Sequence, residues 1–334
     1  MKKRLLNDGF YLFARFCVSA SLAACGGSDT EGDPRIGPDG LPLIFTDDVR
    51  EVLEPYALPS APVEIVDMRM ENEILHEELR ITAPDGQKFR AFRLTPTNAD
   101  GTAVLVIHGH SGSAELATYG ESSYLRALGL RLAEAGFIVL APDVRSFGAF
   151  IIDGMNHSTY ANHVFEEGDV YVRLAINDAR TALSVLEASP GVDPERMGVA
   201  GISLGGFISM MVAVSEPEKI RAATVSGIYL PFSKYFSNAH HFCQHLLVLR
   251  DVASSTELAF SILPRALQIH WGEMDPFGFD EGFDHTSKLE NLAEEFGLDD
   301  SLEIAVSPGL DHVFDPPVQV EFFDRRLHSS EEPN

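Results

Sequence analysis

A serine between a strand pattern and a helix pattern is the first residue of this sequence that could do covalent chemistry. Ser203 lies in a Gly-Ile-Ser-Leu-Gly-Gly run at 201–206, directly after a buried apolar run and directly before a helical one. A sharp strand-to-helix turn exposes a serine hydroxyl as a nucleophile, and glycines let the backbone turn tightly. A plain helix cap is the alternative role. The strand-to-helix context favours the nucleophile.

A serine hydroxyl needs a base to take its proton and a third group to orient that base. Candidates for both groups follow later apolar runs. Asp275 comes after the run at 266–269, and His312 comes after the run at 302–306. Both lie in loops beyond predicted strands, in the chain order serine, acid, histidine. The sequence therefore predicts a triad of Ser203, Asp275 and His312. Rival acids in the same stretch are Glu273, Asp280 and Asp284.

Acyl transfer also needs N–H donors for the oxyanion that forms on the substrate. The backbone N–H of Leu204, in the first turn of the predicted helix, is one predicted donor. The second is expected from the His-Gly-His-Ser-Gly loop at 108–112, which follows the run at 103–107. The backbone N–H of His110 is the candidate there, and that of Ser111 is the alternative.

Histidine pairs raise the alternative of a metal site. His108 and His110 stand two residues apart, without an acidic or histidine partner at supporting spacing nearby. The pair His241 and His245, next to His240, lacks the glutamate of an H-E-x-x-H motif. We therefore expect neither a metal nor a cofactor.

Buried apolar runs that alternate with helical patterns predict the elements that position these residues. A repeated strand–helix order predicts an α/β fold with a doubly wound, mostly parallel sheet. Two earlier runs around the Pro-Asp-Gly turn at 84–86 predict a hairpin. The segment 228–264 breaks the alternation after the sixth strand and predicts a cap-like insertion. The predicted strands are 75–82, 88–94, 103–107, 137–141, 197–202, 222–226, 266–269 and 302–306, and the predicted helices are 124–135, 170–188, 204–214 and 289–296.

The predicted insertion is rich in aromatic residues, which favours a wall for a substrate pocket. Burial in the core is the alternative for most of these side chains. They are Tyr229, Phe232, Tyr235, Phe236 and Phe242.

The order from the His110 loop through Ser203 and Asp275 to His312 resembles the α/β-hydrolase superfamily, over roughly residues 70–328. Three shorter motifs are similar to its dienelactone hydrolase and acetyl xylan esterase-like branch, which implies ester hydrolysis. Dienelactone hydrolases proper use a cysteine nucleophile where this chain has a serine, so the resemblance implies the reaction type and not the dienelactone substrate. The motifs are Ala-Pro-Asp-Val-Arg at 141–145, Gly-Val-Asp-Pro-Glu-Arg at 191–196 and Leu-Arg-Asp-Val at 249–252.

The N-terminus resembles an export signal. Lys2, Lys3 and Arg4 precede an apolar stretch at 16–24 that is too short to span a bilayer. It ends in Leu-Ala-Ala-Cys-Gly, which resembles a bacterial lipoprotein signal whose cleavage leaves Cys25 as the lipidated first residue. A plain cleavable signal is the alternative. We expect an exported lipoprotein, anchored in the outer membrane or at the cell surface. The predicted domains are a signal peptide at 1–24, a lipidated cysteine and flexible tether at 25–60, and a hydrolase domain at 61–330.

Charge and cysteine content exclude several classes of protein. The 334 residues contain 50 Asp+Glu against 25 Lys+Arg, a net charge of −25 that repels nucleic acid and anionic headgroups. We therefore expect no nucleic-acid partner, membrane contact only through the lipid anchor, and a neutral or cationic ester as substrate. Of the three cysteines, Cys17 leaves with the signal and Cys25 is acylated. Cys243 alone cannot form an internal disulfide.

These residues together predict a serine esterase that works through an acyl-enzyme intermediate on a small or polymeric ester. Activity is expected to fall in acid, where a histidine base takes up a proton. The same triad could cleave polyesters or peptides, because fold and triad do not choose a substrate. An inactive binding lipoprotein on the hydrolase fold is the alternative from another class.

Overall fold

One mixed β-sheet with flanking helices organises residues 46–53, 61–232, 253–277 and 279–328, which are the residues that the computed structural model describes. In chain order the strands are β1 (Val63–Glu71), β2 (Ile74–Thr82), β3 (Lys88–Pro96), β4 (Ala103–Ile107), β5 (Ile138–Pro142), β6 (Met197–Ile202), β7 (Ile220–Ser226), β8 (Ala266–Gly272) and β9 (Leu302–Ser307). The α-helices are α1 (Thr46–Leu53), α2 (Ala114–Tyr119), α3 (Leu128–Glu134), α4 (His157–Glu166), α5 (Tyr171–Glu187), α6 (Leu204–Ser215), α7 (Ser255–Phe260), α8 (Phe279–Glu295) and α9 (Pro316–Phe323).

The strands lie in the order β1-β2-β3-β5-β4-β6-β7-β8-β9. The first three pair antiparallel with their neighbours, and β3 is antiparallel to β5. From β5 to β9 every neighbouring pair is parallel. The predicted α/β fold with a mostly parallel sheet is confirmed. The predicted hairpin is also present, because β2 and β3 flank a turn in which Gly86 has φ +83°.

The side chains of β4 alternate between two apolar clusters, one on each face of the sheet. Ala103, Leu105 and Ile107 belong to one cluster, and Val104 and Val106 belong to the other. All five are fully buried, since successive residues of a strand point to opposite faces and both faces carry helices. A strand without a solvent-facing side has a continuous apolar sequence, which is why the central strands were predictable.

Part of the predicted tether is structured. Residues 46–53 form α1, in which Val49 and Leu53 are completely buried. The Asn177 side-chain amide donates a hydrogen bond to the Leu53 carbonyl at 2.8 Å, and Arg50 Nε donates to the Ser215 carbonyl at 2.7 Å. These eight residues therefore belong to the fold, which corrects the predicted tether boundary. The rest of the predicted signal and tether, including Cys25, lies outside the described residues.

Strand β1 was missed by the sequence patterns, because all nine of its residues are exposed and show no buried run. The segment 228–264 consequently follows the seventh strand rather than the sixth. Its described ends, 228–232 and 253–264, contribute buried residues to the larger core cluster. The middle of the predicted cap lies outside the described residues.

Several short helices were also missed. Helix α2 is capped by Ser113, the residue before it, whose hydroxyl accepts the Leu116 N–H at 3.1 Å. Helix α7 begins with a capping box between Ser254 and Glu257, a pattern that the sequence did contain. In the described part of the chain, no helix is both long enough and apolar enough to cross a membrane.

Candidate active site

The carboxyl ends of β4 and β6 lie side by side where the strand order reverses. The chain runs from β4 to β5 on one side and then returns to β6 on the other. A reversal of this kind leaves a crevice in which α/β proteins bind ligands. Ser203 follows β6 directly, and the His110 loop follows β4, so the fold brings these two predicted site segments together.

Ser203 occupies a strained turn between β6 and α6. Its φ of +57° and ψ of −127° are rare for a residue with a side chain. The Ser203 N–H donates to the Ser226 carbonyl at 2.9 Å, which ties the turn to β7. A Cβ on Gly205 would lie 2.2 Å from the Ile107 carbonyl oxygen, so only glycine lets the helix start this close to β4. This is the backbone geometry that presents a nucleophilic serine.

His312 and Asp275 are joined by a hydrogen bond. His312 Nδ1 lies 2.8 Å from Asp275 Oδ2, and the Phe277 N–H donates to Asp275 Oδ1 at 2.9 Å. The Asp275 side chain is 1% exposed and that of His312 is 15% exposed. A carboxylate only accepts, so Nδ1 carries the imidazole proton of the neutral ring and Nε2 is left as the acceptor.

Gly227 lies between the Ser203 turn and the pair of His312 and Asp275. It follows Ser226, which holds the Ser203 N–H, and the His312 ring packs on its backbone. A Cβ on Gly227 would lie 2.8 Å from His312 Cε1 and 3.1 Å from Asp275 Oδ2. Within the described residues, no hydrogen bond joins the Ser203 hydroxyl to His312; such catalytic bonds often tighten only with substrate bound.

The rival acids lie elsewhere. Glu273 is exposed, and its carboxylate accepts the Gly309 N–H at 2.8 Å, which steadies the turn before His312. Asp280 and Asp284 are exposed on α8. Among the described carboxylates, the one hydrogen-bonded to His312 is that of Asp275.

The loop that carries His110 lies against the Ser203 turn. A Cβ on Gly109 would lie 2.8 Å from the Ser203 Cβ. The Tyr124 hydroxyl donates to the His110 carbonyl at 2.9 Å, and the Tyr124 ring stacks on His312 with centroids 6.5 Å apart. Burial raises the pKa of Tyr124, so the hydroxyl stays a donor. Tyr124 thus contacts both His312 and the predicted oxyanion loop.

His108 supports the same loop from behind. It is fully buried, its Nδ1 donates to the Gly109 carbonyl at 2.8 Å, and its Nε2 accepts the Val144 N–H at 2.9 Å. Burial lowers the pKa of His108, which keeps the ring neutral with both nitrogens engaged. His108 is therefore a structural residue of this loop. His240, His241 and His245 lie outside the described residues, and within those described no cluster of three metal-ligating side chains occurs.

The loop after β5, which holds His108 through the Val144 N–H, is itself fixed by charged residues. Asp143 accepts the Ala114 N–H at 2.7 Å, which fixes the start of α2. Next to it, the buried Arg145 guanidinium holds both carboxylate oxygens of Asp178 at 2.7 Å. Burial acts to lower the pKa of Arg145, but Asp178 and Asp85 outweigh it and raise that pKa. A charge pair fixed in this way ties the loop to α5.

A cleft of about 790 Å³ opens beside His312. Met274 and Phe277 line it and are 65% and 60% exposed, and the Phe277 ring lies edge-on to His312 at 4.8 Å. These side chains offer apolar contact surface next to His312. The predicted wall residues Tyr229 and Phe232 are instead buried in the core. The other predicted wall residues, Tyr235, Phe236 and Phe242, lie outside the described residues.

Two residues of the site escaped the sequence patterns. Tyr124 was predicted only as the start of a helix, and the structure begins α3 later, at Leu128. Gly227 is one glycine among 27 in the chain. The available signal for Gly227 was its position directly after a predicted strand, where catalytic loops begin.

The sheet, the strained serine turn and the carboxylate–histidine pair define an α/β-hydrolase. The family model of the dienelactone hydrolase family matches residues 89–319. The chain belongs to this family, and it is accordingly a hydrolase that acts on carboxylic esters.

Known proteins are similar to this chain in sequence or in fold. The Bacillus subtilis (strain 168) protein YtaP is 25% identical over 239 residues, which is 68% of this chain and 79% of YtaP. A glucuronoyl esterase from Solibacter usitatus is 14% identical, with a TM-score of 0.64 over 87% of this chain and 96% of its own. Acetyl xylan esterase 1 from Thermoanaerobacterium sp. JW/SL YS485 is 19% identical, with a TM-score of 0.56 over 86% and 95% of the two chains.

Proposed function

We propose that this chain is a serine esterase in which Ser203, His312 and Asp275 act as nucleophile, base and orienting acid. The observation that carries the proposal is the 2.8 Å hydrogen bond between His312 Nδ1 and Asp275 Oδ2, next to a serine in a strained strand-to-helix turn. With Nδ1 bonded to the carboxylate, Nε2 takes the Ser203 proton as the hydroxyl oxygen attacks the ester carbonyl.

The tetrahedral oxyanion would be held by the backbone N–H groups of Leu204 and His110. Leu204 is the first residue of α6, where the N–H has no partner within the helix and the helix dipole favours negative charge. His110 lies in the loop that contacts Ser203, and its carbonyl is fixed by Tyr124. Donors fixed before the reaction stabilise the transition state without reorganisation.

The protonated His312 then gives its proton to the leaving alkoxide, which leaves an acyl group on Ser203. Water enters, His312 takes one of its protons, and the resulting attack releases the carboxylic acid and restores the serine. No cofactor takes part in either half of this cycle.

Neutral acyl esters of carbohydrates are the substrate class that we propose first. Two structural neighbours are esterases named for acetyl xylan and glucuronoyl esters. The apolar side chains of Met274 and Phe277 beside His312 suit a short acyl group or a sugar face. The net charge of −25 disfavours polyanionic chains.

We also propose that the protein is exported and lipidated at Cys25, on the strength of the Leu-Ala-Ala-Cys-Gly sequence. Such a chain would be anchored at the outer membrane or cell surface. Intact-mass analysis of the native protein tests this, with an acylated chain beginning at Cys25 as the expected result. An unmodified chain that begins elsewhere would exclude the anchor.

Turnover of p-nitrophenyl acetate tests the triad. We expect Ser203→Ala to lower kcat about 10⁴-fold or more, since the removed group forms the covalent bond. Ser122 lines the cleft beside His312, so Ser122→Ala is the matched control and should keep the rate. A Ser203→Ala variant that retains turnover would contradict the proposal.

A further inference from the structure

Strand β1 is a long, exposed edge of the sheet. It lies at one end of the strand order and pairs with β2 alone among the described strands. All nine of its residues are exposed, and the row of N–H and C=O groups on its outer edge has no strand beside it in the described part of the chain. An edge of this length is a template for pairing with another strand.

A β-bulge sorts the side chains of β1 by chemistry. The register with β2 shifts between Ile65, opposite Leu79, and Asp67, opposite Glu78. Because one extra residue is inserted there, the apolar residues on both sides of the bulge fall on one face and the charged residues fall on the other. The apolar face holds Val63, Ile65, Met68 and Met70, and the charged face holds Glu64, Asp67, Arg69 and Glu71.

The apolar face of β1 is open to solvent. Its four side chains are between 42% exposed, at Val63, and 61% exposed, at Met70. Charged faces of edge strands are ordinary, but a continuous exposed row of valine, isoleucine and methionine is a mark of an interaction surface.

We propose that β1 pairs edge to edge with β1 of a second copy of this chain, antiparallel about a two-fold axis between Val66 and Asp67. In this register Val63 faces Met70 of the second copy and Ile65 faces its Met68, while Glu64 faces its Arg69 on the other face. Symmetry repeats each pair, so the interface has four apolar pairs and two ion pairs, and Val66 faces Asp67 of the other copy on either side of the axis.

The sequence selects this register over its neighbours. A shift by one residue in one direction places Asp67 opposite Asp67 of the second copy. A shift in the other direction places Val63 opposite Arg69 and Ile65 opposite Asp67. Like charges directly opposite each other destabilise strand pairing. The second shift separates Glu64 from Arg69 and takes the apolar residues off one another, so it loses the apolar pairs and the ion pairs of the proposed register. The Arg69 side chain is still 49% exposed beside Glu71, so its guanidinium can reach a second carboxylate.

A second copy fits this surface better than a membrane does. A bilayer offers no hydrogen-bonding strand for the backbone edge, and a chain of net charge −25 is repelled by anionic headgroups. Four strands separate β1 from β6, which carries Ser203 at its end, so pairing leaves both active sites open.

Sedimentation equilibrium of the purified full chain tests the proposal through charge reversal and rescue. We expect a dimer for the wild type. Glu64→Arg and Arg69→Glu should each raise the dissociation constant about tenfold or more, because two attractive pairs become repulsive. The double variant Glu64→Arg/Arg69→Glu should restore the dimer. Glu321→Arg, which reverses an exposed charge on α9, is the matched control and should sediment like the wild type.

Asp67→Asn should change the dissociation constant of the dimer in the opposite direction to the two charge reversals. The two Asp67 carboxylates lie next to the axis, so removing their repulsion should lower the dissociation constant. Ile65→Lys should produce a monomer with unchanged circular dichroism, because Ile65 is already 47% exposed in the single chain. A wild type that stays monomeric up to its solubility limit, a dimer indifferent to both reversals, or single reversals that the double variant does not rescue would overturn the proposal. So would a monomer that binds phosphatidylcholine vesicles through Ile65.

Discussion

Gly227→Ala is the change that tests most directly whether His312, the proposed base, stands in its working position in the structure. The glycine has φ +64°, and the His312 ring packs directly on its backbone. The added methyl carbon would lie 2.8 Å from His312 Cε1 and 2.9 Å from Nδ1. Carbon atoms in contact prefer about 3.5–4.0 Å, so the ring must move by roughly 1 Å or the strand end must shift.

Two effects of different size follow from that geometry. A left-handed φ costs a non-glycine residue about 1–2 kcal/mol in the free energy of unfolding. Displacement of a catalytic group by about 1 Å costs about 10²-fold in rate. We therefore expect Gly227→Ala to lower kcat/KM for p-nitrophenyl acetate about 100-fold while the protein remains folded, as measured by urea denaturation alongside the kinetics.

Gly297→Ala separates the two effects. Gly297 has φ +65°, almost the same backbone conformation, but a Cβ there would meet nothing within 4 Å. This variant should lose similar stability and keep its turnover. If Gly227→Ala retained kcat/KM within about twofold of the wild type, or if Gly297→Ala lost as much activity, the inferred position of His312 would be refuted.

Three further changes test the surroundings of the site. Tyr124→Phe removes the hydroxyl that holds the His110 carbonyl but keeps the ring against His312, so kcat should fall about tenfold with little change in stability; a wild-type rate would mean that the loop is held by other contacts. Burial lowers the pKa of His270 to about 4, so the unfolded chain takes up a proton on this histidine at a higher pH than the folded chain does. The free energy of unfolding is therefore at its full value above about pH 6.5 and decreases as the pH falls towards 4. His270→Gln should therefore reduce the drop in unfolding free energy between neutral pH and pH 4 by about 3 kcal/mol in urea titrations, and an unchanged drop would contradict this. Arg145→Met leaves the Asp178 carboxylate buried without its partner and should destabilise the protein by about 3–5 kcal/mol, whereas Arg145→Met/Asp178→Leu should recover much of that loss in the same titration.

The central part of the fold was predictable because burial is visible in composition. Strands β4 to β8 are covered on both faces, so their sequences are continuous apolar runs, and α6 follows such a run directly. Strand β1 was not predictable in this way, because a strand with every residue exposed carries no burial pattern. Helix α1 was not predicted for another reason. Its sequence is mostly polar, and its two buried residues, Val49 and Leu53, are buried because the helix packs against α5 and α6.

The candidate site also has features that the sequence predicted and features that it left undecided. Ser203, Asp275 and His312 follow predicted strands, so the parallel sheet alone requires their loops to share one edge. Which of Glu273, Asp275, Asp280 and Asp284 meets the histidine was open in the sequence, since all four lie close together along the chain. The structure buries Asp275 against His312 and leaves the other three exposed.

The sequence by itself determined the fold class, the order of the chemical groups along the chain and the strand ends that carry them. These features depend on local pattern and on the alternation of buried runs. Only the tertiary structure decided that Tyr124 and Gly227 contact His312, that His108 is a structural residue, and that the aromatic residues Tyr229 and Phe232 belong to the core. Those outcomes depend on contacts between segments that are far apart along the chain. Such contacts produce no periodic pattern in the sequence, so the sequence alone does not reveal them.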